Sequence, residues 1–303
     1  MPFLANWLLL VGVGLMGGSV ARAARAAGVV PRILGIDPVH GSESLSLGLV
    51  DEVFDDFDQA DPHLQELSGP GLVVFAAPVP VTARLLPSLA SRWQAWGRPW
   101  FTELGSTKSA WALAVANVRA LGLGGPDFLS HGMSSHPMAG SEAHGPQAAR
   151  EDLFQGARVL LSSLPETTQS CETLWTAFWQ DLGARTHALA LDAHDPLLAS
   201  ISHLPHADSV ALGAQLSQSS HAQAAQWLHG GGLRDTTRIA ASDPSLWADI
   251  FLDNREALER LLSDYQQQLD ALGQALKRQD REGLIALLER SAHWRQGFQI
   301  QGK

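Results

Sequence analysis

Leu8-Leu-Leu-Val-Gly-Val-Gly-Leu-Met-Gly17 is the stretch that decides the fold. Four apolar residues run without alternation into Gly12-x-Gly14-x-x-Gly17, the pattern of a strand buried on both faces that turns sharply into a helix, predicted over about Gly17 to Ala27. Gly12 permits the tight turn and Gly14 lets backbone approach a pyrophosphate. Gly17 lets the helix lie close on its strand, with the helix N-terminus facing negative charge. Such a turn, with Leu15 and Met16 at its helix start, is weak alone in a chain of 28 glycines. Its context strengthens it. A second apolar run, Arg32-Ile-Leu-Gly-Ile-Asp37, ends in an acid twenty residues after Gly17, where a ribose-binding carboxylate belongs. Asp37 is expected to hold the 2'-hydroxyl of a dinucleotide and to repel a 2'-phosphate, which favours NAD over NADP.

The 303 residues suffice for a large core and two domains. Charged residues at 17% and hydrophobic ones at 45% describe an ordinary globular chain. Asp and Glu number 31 against 21 Lys and Arg, and no basic run occurs, which argues against nucleic acid as a partner. The single cysteine, Cys171, has no internal disulfide partner and no metal-type neighbours; a reducing compartment, the cytoplasm, is expected, with no metal. Phe3 to Val13 lacks a basic flank and leads into the glycine turn, so it reads as the first strand rather than a signal peptide. No run of eighteen apolar residues suggests a membrane span.

Outward from the glycine turn, apolar runs and helical patterns alternate. Gly71-Leu-Val-Val-Phe-Ala-Ala-Pro78 is a third buried strand, stopped by Pro78 at the carboxyl edge where open α/β sheets bind ligands. Pro99-Trp-Phe-Thr-Glu-Leu104 is a fourth, ending in the loop Gly105-Ser106-Thr107-Lys108. Leu129 to His136 and Ala157 to Ser162 complete the expected strand set, while the acidic stretch from Asp51 to Asp61 reads as solvated loop and helix. The pattern predicts a Rossmann-type doubly wound parallel sheet over residues 1–163. From about 164 to 303 apolar residues recur mostly at helical spacing, with a short strand-like piece at His187 to Leu191. Asp243-Pro244 is a good helix start, and Leu246, Ile250, Leu258, Leu261, Tyr265, Leu269, Leu272 and Leu276 predict one long helix. A helix of that length outgrows a small core, so a homodimer through this all-helical half is expected.

Three stretches resist explanation as scaffold. Ser135-His136-Pro137-Met138-Ala139-Gly140-Ser141-Glu142 sets an imidazole, extended before proline, at the ligand edge of the sheet. A lone histidine there, one of 12, is as readily structural. Ser202-His203-Leu204-Pro205-His206 puts two imidazoles in a helical pattern that Pro205 interrupts at a cost of roughly 3 kcal/mol. Gly230-Gly-Gly-Leu-Arg234-Asp235-Thr-Thr-Arg238 offers close backbone approach and an arginine fork suited to a carboxylate.

Taken together, GVGLMGGS, ELGSTK, HPMAGSE, SHLPH and GGLRDTTRIAASDPSLW resemble, in order and spacing, the prephenate and arogenate dehydrogenase family of tyrosine biosynthesis. The resemblance spans nearly the whole chain and implies a nucleotide-binding domain followed by a helical dimerisation domain. It implies that His136 is the catalytic histidine at the substrate's ring hydroxyl, that Ser106 orients it near the nicotinamide, and that Arg238 grips a substrate carboxylate. Ser202, His206 and Trp247 then line the substrate pocket, and Glu142 and Asp235 belong to a charge network around the arginine. Glu103 departs from the more usual Asp, which bears on the positioning of the GS loop. The polar run His131 to Ser135 and Asp208 are further departures.

The implied reaction is the oxidative decarboxylation of prephenate to 4-hydroxyphenylpyruvate with NAD. A neutral imidazole with a reference pKa of about 6.5 can accept the hydroxyl proton as hydride leaves, and aromatisation drives the step. Arogenate, whose side chain is alanyl rather than pyruvyl, is the alternative substrate. A β-hydroxyacid-type dehydrogenase shares the plan but relies on a lysine in the helical half, and Lys277 lies outside any site-like motif. A non-catalytic NAD-sensing dimer is the reading from another class, against which the intact His136, Ser106 and Arg238 argue.

Overall fold

In the computed structural model, which describes residues 4–140 and 143–298, the first strand, β1 (Trp7–Val11), is wholly buried and lies in the interior of an eight-stranded sheet. Its side chains alternate between two core layers. Leu8 and Leu10 point into a layer with Val20, Ala21 and Ala24 of α1 (Leu15–Ala27); Trp7, Leu9 and Val11 point into one on the opposite face. A strand apolar on both sides therefore needs helices on both sides, which is the doubly wound arrangement.

The strands β2 (Ile33–Ile36), β3 (Glu52–Phe54), β4 (Gly71–Phe75), β5 (Trp100–Glu103), β6 (Gly132–Pro137), β7 (Arg158–Ser163) and β8 (Arg185–Ala188) complete the sheet in the order β3-β2-β1-β4-β5-β6-β7-β8. All neighbours are parallel except β6 and β7. Short α2 (Gly41–Ser46) leads to β3, while α3 (Phe57–Gln65), α4 (Val79–Arg92) and α5 (Ser109–Leu121) cover the Trp7 face through Phe57, Leu86, Leu89 and Trp111. On the other face α6 (Gln169–Asp181) adds Cys171, Trp175, Phe178 and Trp179 to the layer of α1.

Two strands fall outside the predicted set. β3 lies in the acidic stretch read as surface; it is a three-residue edge strand pairing Leu34 with Glu52 and Ile36 with Phe54, too short and too half-buried to show a period. The strand-like piece near His187 belongs to the sheet as β8, parallel to β7 in the register Arg158 to Arg185. The sheet therefore continues past residue 163, through α6, to Ala188.

Helices then take over: α7 (Leu191–Leu198), a π-helical turn (Ala199–His203), α8 (Leu204–Ser217), α9 (Ala222–Leu228), α10 (Gly231–Thr237), a 3₁₀ turn (Arg238–Ala241) and α11 (Pro244–Asp253). Asp243 caps α11 by accepting the amide of Leu246 at 2.7 Å. The long helix predicted through Leu276 is two helices: α11 ends at Asn254, and α12 (Arg255–Lys277) begins after it. The chain divides there into two compact units; in the second, α12 packs with α13 (Arg281–Gln296), which Asp280 caps at Gly283. No helix among the described residues is long and apolar enough to cross a membrane.

Candidate functional site

The glycine turn has the geometry its sequence requires. Gly12 adopts φ +92°, and a Cβ there would stand 2.7 Å from the amide nitrogen of Ala77. One at Gly17 would stand 2.0 Å from the carbonyl oxygen of Gly12. Asp37 ends β2 with its carboxylate held by three backbone amides, Val13 at 2.8 Å, Val39 at 2.9 Å and His40 at 2.7 Å, so it enters the pocket preorganised. A cavity of about 490 Å³ opens there, lined by Gly12, Gly14, Asp37, Phe57, Pro78 and Leu85 among others, with largely apolar walls, the amide-held carboxylate of Asp37 and, beside it, Asp55 and Asp56, a lining that fits an adenosine.

Around Gly14 and Pro78 this cavity meets a second of about 270 Å³ that takes in Leu15, Met16, Gly105, Ser106, His144 and the α11 residues Leu246 and Ile250. Ser106 and Ile250 in turn border a third, of about 180 Å³, with His136, Ser202, His203 and Trp247. The three are neighbours along the carboxyl edge of the sheet, each sharing lining residues with the next. Ser106, His136, Ser202 and Trp247, scattered over 142 positions of sequence, are thus brought together, and His206 stacks on Trp247 with ring centroids 3.3 Å apart. The π-helical turn carries Ser202 and His203: an i to i+5 turn inserts one residue into the helical run, and Pro205 follows it in the first turn of α8, where its missing N–H costs least.

Beneath the loop of Ser106 lies a buried ion pair. Lys108, 2% exposed, donates from Nζ to Oε1 of Glu103 at 2.6 Å, to the carbonyl of Gly105 at 2.7 Å and to that of Ser135 at 3.1 Å. Glu103 also accepts the amide of Gly105 at 2.6 Å and the hydroxyl of Ser134. The glutamate that departs from the usual aspartate therefore reaches both the serine loop and the histidine strand. Burial pulls the Lys108 ammonium below its ordinary range, against the opposing pull of Glu103.

His136 is buried at the end of β6, its Nδ1 2.8 Å from Nε2 of His194. His194 Nδ1 lies 2.8 Å from Oδ1 of Asp195, whose carboxylate also accepts the backbone amides of Lys108 and Ser109, each at 2.8 Å, and the Ser109 hydroxyl at 2.6 Å. Asn254 donates to the Asp195 carbonyl at 2.8 Å and lies 3.0 Å from Nδ1 of His203. Burial holds His136 well below its ordinary pKa, with the Lys108 charge and neighbouring His194 and His203 acting the same way; His203 falls to about 4, chiefly from burial. The imidazole at the pocket is neutral and able to accept a proton.

Lys108 and His203 lie within the sequence motifs but take no role from them, and His194, Asp195 and Asn254 lie outside every motif. The available signal was a His-Asp pair directly before Pro196 in a short helix that ends in two leucines. Arg238 is not among the residues bordering the His136 pocket: it is exposed on the 3₁₀ turn that packs against α8, and Asp235 is exposed and ion-paired with Arg234 at 3.0 Å. The glycines before them form the start of α10 rather than an open loop. Glu142 lies outside the described residues. Among the described residues no group of three His, Cys, Asp or Glu side chains could hold a metal, and burial pushes the Cys171 thiol up to about 12, out of reach of thiolate chemistry.

A Rossmann sheet with a dinucleotide-shaped cleft and a neutral imidazole at its carboxyl edge defines a two-part nucleotide-dependent dehydrogenase. Residues 20–188 match the prephenate dehydrogenase nucleotide-binding domain, and residues 191–290 match the prephenate dehydrogenase dimerization domain. The chain belongs to the prephenate dehydrogenase family. It is 29% identical over 302 residues to the prephenate dehydrogenase of Bacillus subtilis, covering 98% of this chain and 77% of the relative. It is 30% identical over 286 residues to the cyclohexadienyl dehydrogenase of Zymomonas mobilis, covering 92% and 91%. Among solved structures, prephenate dehydrogenase from Aquifex aeolicus in complex with hydroxyphenyl propionate and NAD⁺ superposes with a TM-score of 0.80 at 28% identity, covering 96% of this chain and 97% of that one. Arogenate dehydrogenase from Synechocystis superposes at 0.71 with 25% identity, covering 96% and 99%.

Proposed function

We propose that the protein oxidises prephenate with NAD, releasing carbon dioxide and 4-hydroxyphenylpyruvate. The observation that carries this reading is the adjacency of the cavities: the one under Gly14 and Pro78 shares Ser106 and Ile250 with the pocket of His136. The Aquifex relative, bound to NAD⁺ and a hydroxyphenyl acid, supports the same assignment. Gly12, Gly14, Leu15, Met16, Asp37 and Pro78, which line these cavities, would hold the dinucleotide, and NAD when bound supplies the hydride acceptor. Asp37, with no arginine or lysine among the described residues that line its cavity, favours NAD over NADP.

Neutral His136 accepts the proton of the ring hydroxyl, and Ser106, on the loop shared by both cavities, orients that hydroxyl. The residues need supply only position, a base and an anchor, because aromatisation drives the loss of carbon dioxide. Ser202, His206 and Trp247 wall the ring. Arg238, whose guanidinium pairs with no described residue, is assigned to a substrate carboxylate, with Asp235 and Glu142 in the charge network around it. Two copies are proposed to pair through the helical half, supported by the dimerization-domain match and by the exposure of Trp227, Leu228 and Leu252. The single cysteine, buried as a thiol, accords with the cytoplasm.

Formation of NADH in parallel assays of prephenate and arogenate, each with NAD and NADP, tests the reading. Prephenate with NAD is expected to give the highest kcat/KM. Preference for arogenate would replace the substrate, and turnover of neither would end the proposal.

A further inference from the structure

We propose that His194 and Asp195 act on the reaction through His136, fixing its neutral ring with Nδ1 protonated and Nε2 bare, and taking up the positive charge when Nε2 is protonated. The catalytic half of this statement rests on the function proposed above; the tautomer does not. The assignment follows from counting protons along one line of contacts. Asp195 accepts three bonds from donors, the amides of Lys108 and Ser109 and the Ser109 hydroxyl, and its Oδ1 lies 2.8 Å from Nδ1 of His194. Burial works upward on its carboxyl group, yet the bonds from His194, Ser109 and the Lys108 amide outweigh it and hold the carboxylate ionised. An ionised carboxylate only accepts, so Nδ1 of His194 carries a hydrogen.

Burial keeps His194 neutral despite that bond, and a neutral imidazole has one N–H. Its Nε2 is therefore bare, and the atom 2.8 Å away, Nδ1 of His136, must donate to it. That uses the only N–H of neutral His136. Its Nε2, which bonds to no described residue on a ring that borders the pocket, presents a lone pair. The orientation of the carboxylate at 195 thus determines, two rings away, that the pocket contains a base rather than a donor.

The same line offers a place for charge. When hydride leaves the hydroxyl-bearing carbon for the nicotinamide, the C–O bond becomes C=O and the hydroxyl proton passes to Nε2 of His136. The imidazolium formed there is buried beside the Lys108 ammonium. Transfer of its Nδ1 proton to Nε2 of His194 moves the charge to a ring 2.8 Å from the Asp195 carboxylate, where it is favoured. When carbon dioxide then leaves, the pair of its bond to the ring makes the carbonyl a phenolate, and the proton returns from His194 through Nε2 of His136 to that oxygen; no proton need reach the carboxylate.

The test reads the tautomer directly. Full-length protein labelled with ¹⁵N in its histidine rings, with the His136 signals assigned by loss in His136→Asn, should show a protonated Nδ1 and a bare Nε2. In Asp195→Asn the amide can turn its NH₂ toward His194, reversing both rings. Asparagine in place of the aspartate of a His–Asp pair leaves geometry intact elsewhere, inverts the tautomer and costs about 10⁴ in rate. The expected result is therefore an inverted His136 signal and a kcat lower by roughly 10²–10⁴, with KM for both substrates within about threefold. His194→Gln, which can still accept from Nδ1 but cannot take a proton, should keep the tautomer and lose kcat. A wild-type His136 protonated at Nε2 overturns the proposal, as does an Asp195→Asn enzyme with the tautomer and kcat unchanged. Should Asp195→Asn fail to fold, the wild-type spectrum alone decides the tautomer, and His194→Gln decides the charge transfer. If the wild type turns over neither prephenate nor arogenate, the proposed function fails while the spectrum still reports on the relay.

Discussion

The backbone amide of Lys108 donates to Oδ1 of Asp195 at 2.8 Å across 87 positions of sequence, joining the serine loop of the sheet to the first helix beyond it. Lys108 thereby faces two ways. Its amide is tied to the carboxylate that orients His194, and its ammonium is tied to Glu103 and to the carbonyl that precedes His136. One residue holds together the three segments that meet at the pocket.

Removing the Lys108 charge alone should therefore damage stability more than removing the pair. Lys108→Met leaves Glu103 buried without its counter-ion, a loss expected at about 3–5 kcal/mol, whereas pairs replaced together by neutral side chains of similar volume are often tolerated. Urea unfolding should show a large drop in midpoint for the single variant and partial recovery in Lys108→Met with Glu103→Gln. Equal losses in both would contradict the ion pair's role.

The two assigned ends of the substrate should separate kinetically. His136→Asn is expected to lower kcat by roughly 10²–10⁴ with little change in KM, since the base acts in the transition state. Arg238→Ala should chiefly raise the KM for prephenate, by about ten- to a hundredfold for a lost charge-assisted bond worth roughly 1.5–3 kcal/mol. Steady-state kinetics of both variants decide the matter, and a matched loss of kcat and KM in either would reassign its role.

Acid should weaken both activity and fold. The folded-state pKa values of His136, His194, His203 and His206 all lie below the ordinary 6.5, mainly because burial penalises the charged ring. Below pH 6.5 the unfolded chain takes up protons that the folded chain refuses, so stability falls as pH drops from 6.5, through about 4 for His203. Above 6.5 these groups contribute no pH dependence. Denaturant midpoints across this range should fall with pH, and the acid limb of kcat/KM should lie below 6.5; a limb at about 6.5 would mean that His136 titrates as an exposed ring, and one above it that its cation is stabilised rather than penalised.

The glycines of the turn should separate folding from binding. Gly17→Ala forces a Cβ to within 2.0 Å of the Gly12 carbonyl oxygen and is expected to destabilise by about 1–3 kcal/mol or more. A Cβ at Gly14 meets nothing within 4 Å, so Gly14→Ala should fold normally while its methyl obstructs the pyrophosphate. Thermal unfolding read beside NAD titration checks the contrast, and normal NAD affinity in Gly14→Ala would remove the dinucleotide from this turn.

The glycine turn, the buried strands around it and the acid at Asp37 were legible in sequence because local patterns dictate them: apolar runs need two covered faces, and a turn without room for Cβ needs glycine. His136, Ser106, Ser202 and Trp247 were legible through motifs, and the structure brings them to one pocket. β3 was not, because a three-residue edge strand buries too little to impose a period on its sequence. Nor was the break at Asn254, where an apolar stripe continues through Leu258 but the side chain is committed to Asp195 and His203 instead of helix surface.

Sequence alone thus determined the class of fold and the glycine turn, since each follows from short-range sterics and hydrophobic periodicity. Only the tertiary structure decided that Lys108, His194 and Asp195 stand behind His136, and that Arg238 stands outside its pocket in the single chain. Hydrogen-bond direction and burial depend on which segments meet, and neither is encoded in the spacing of residues along one of them.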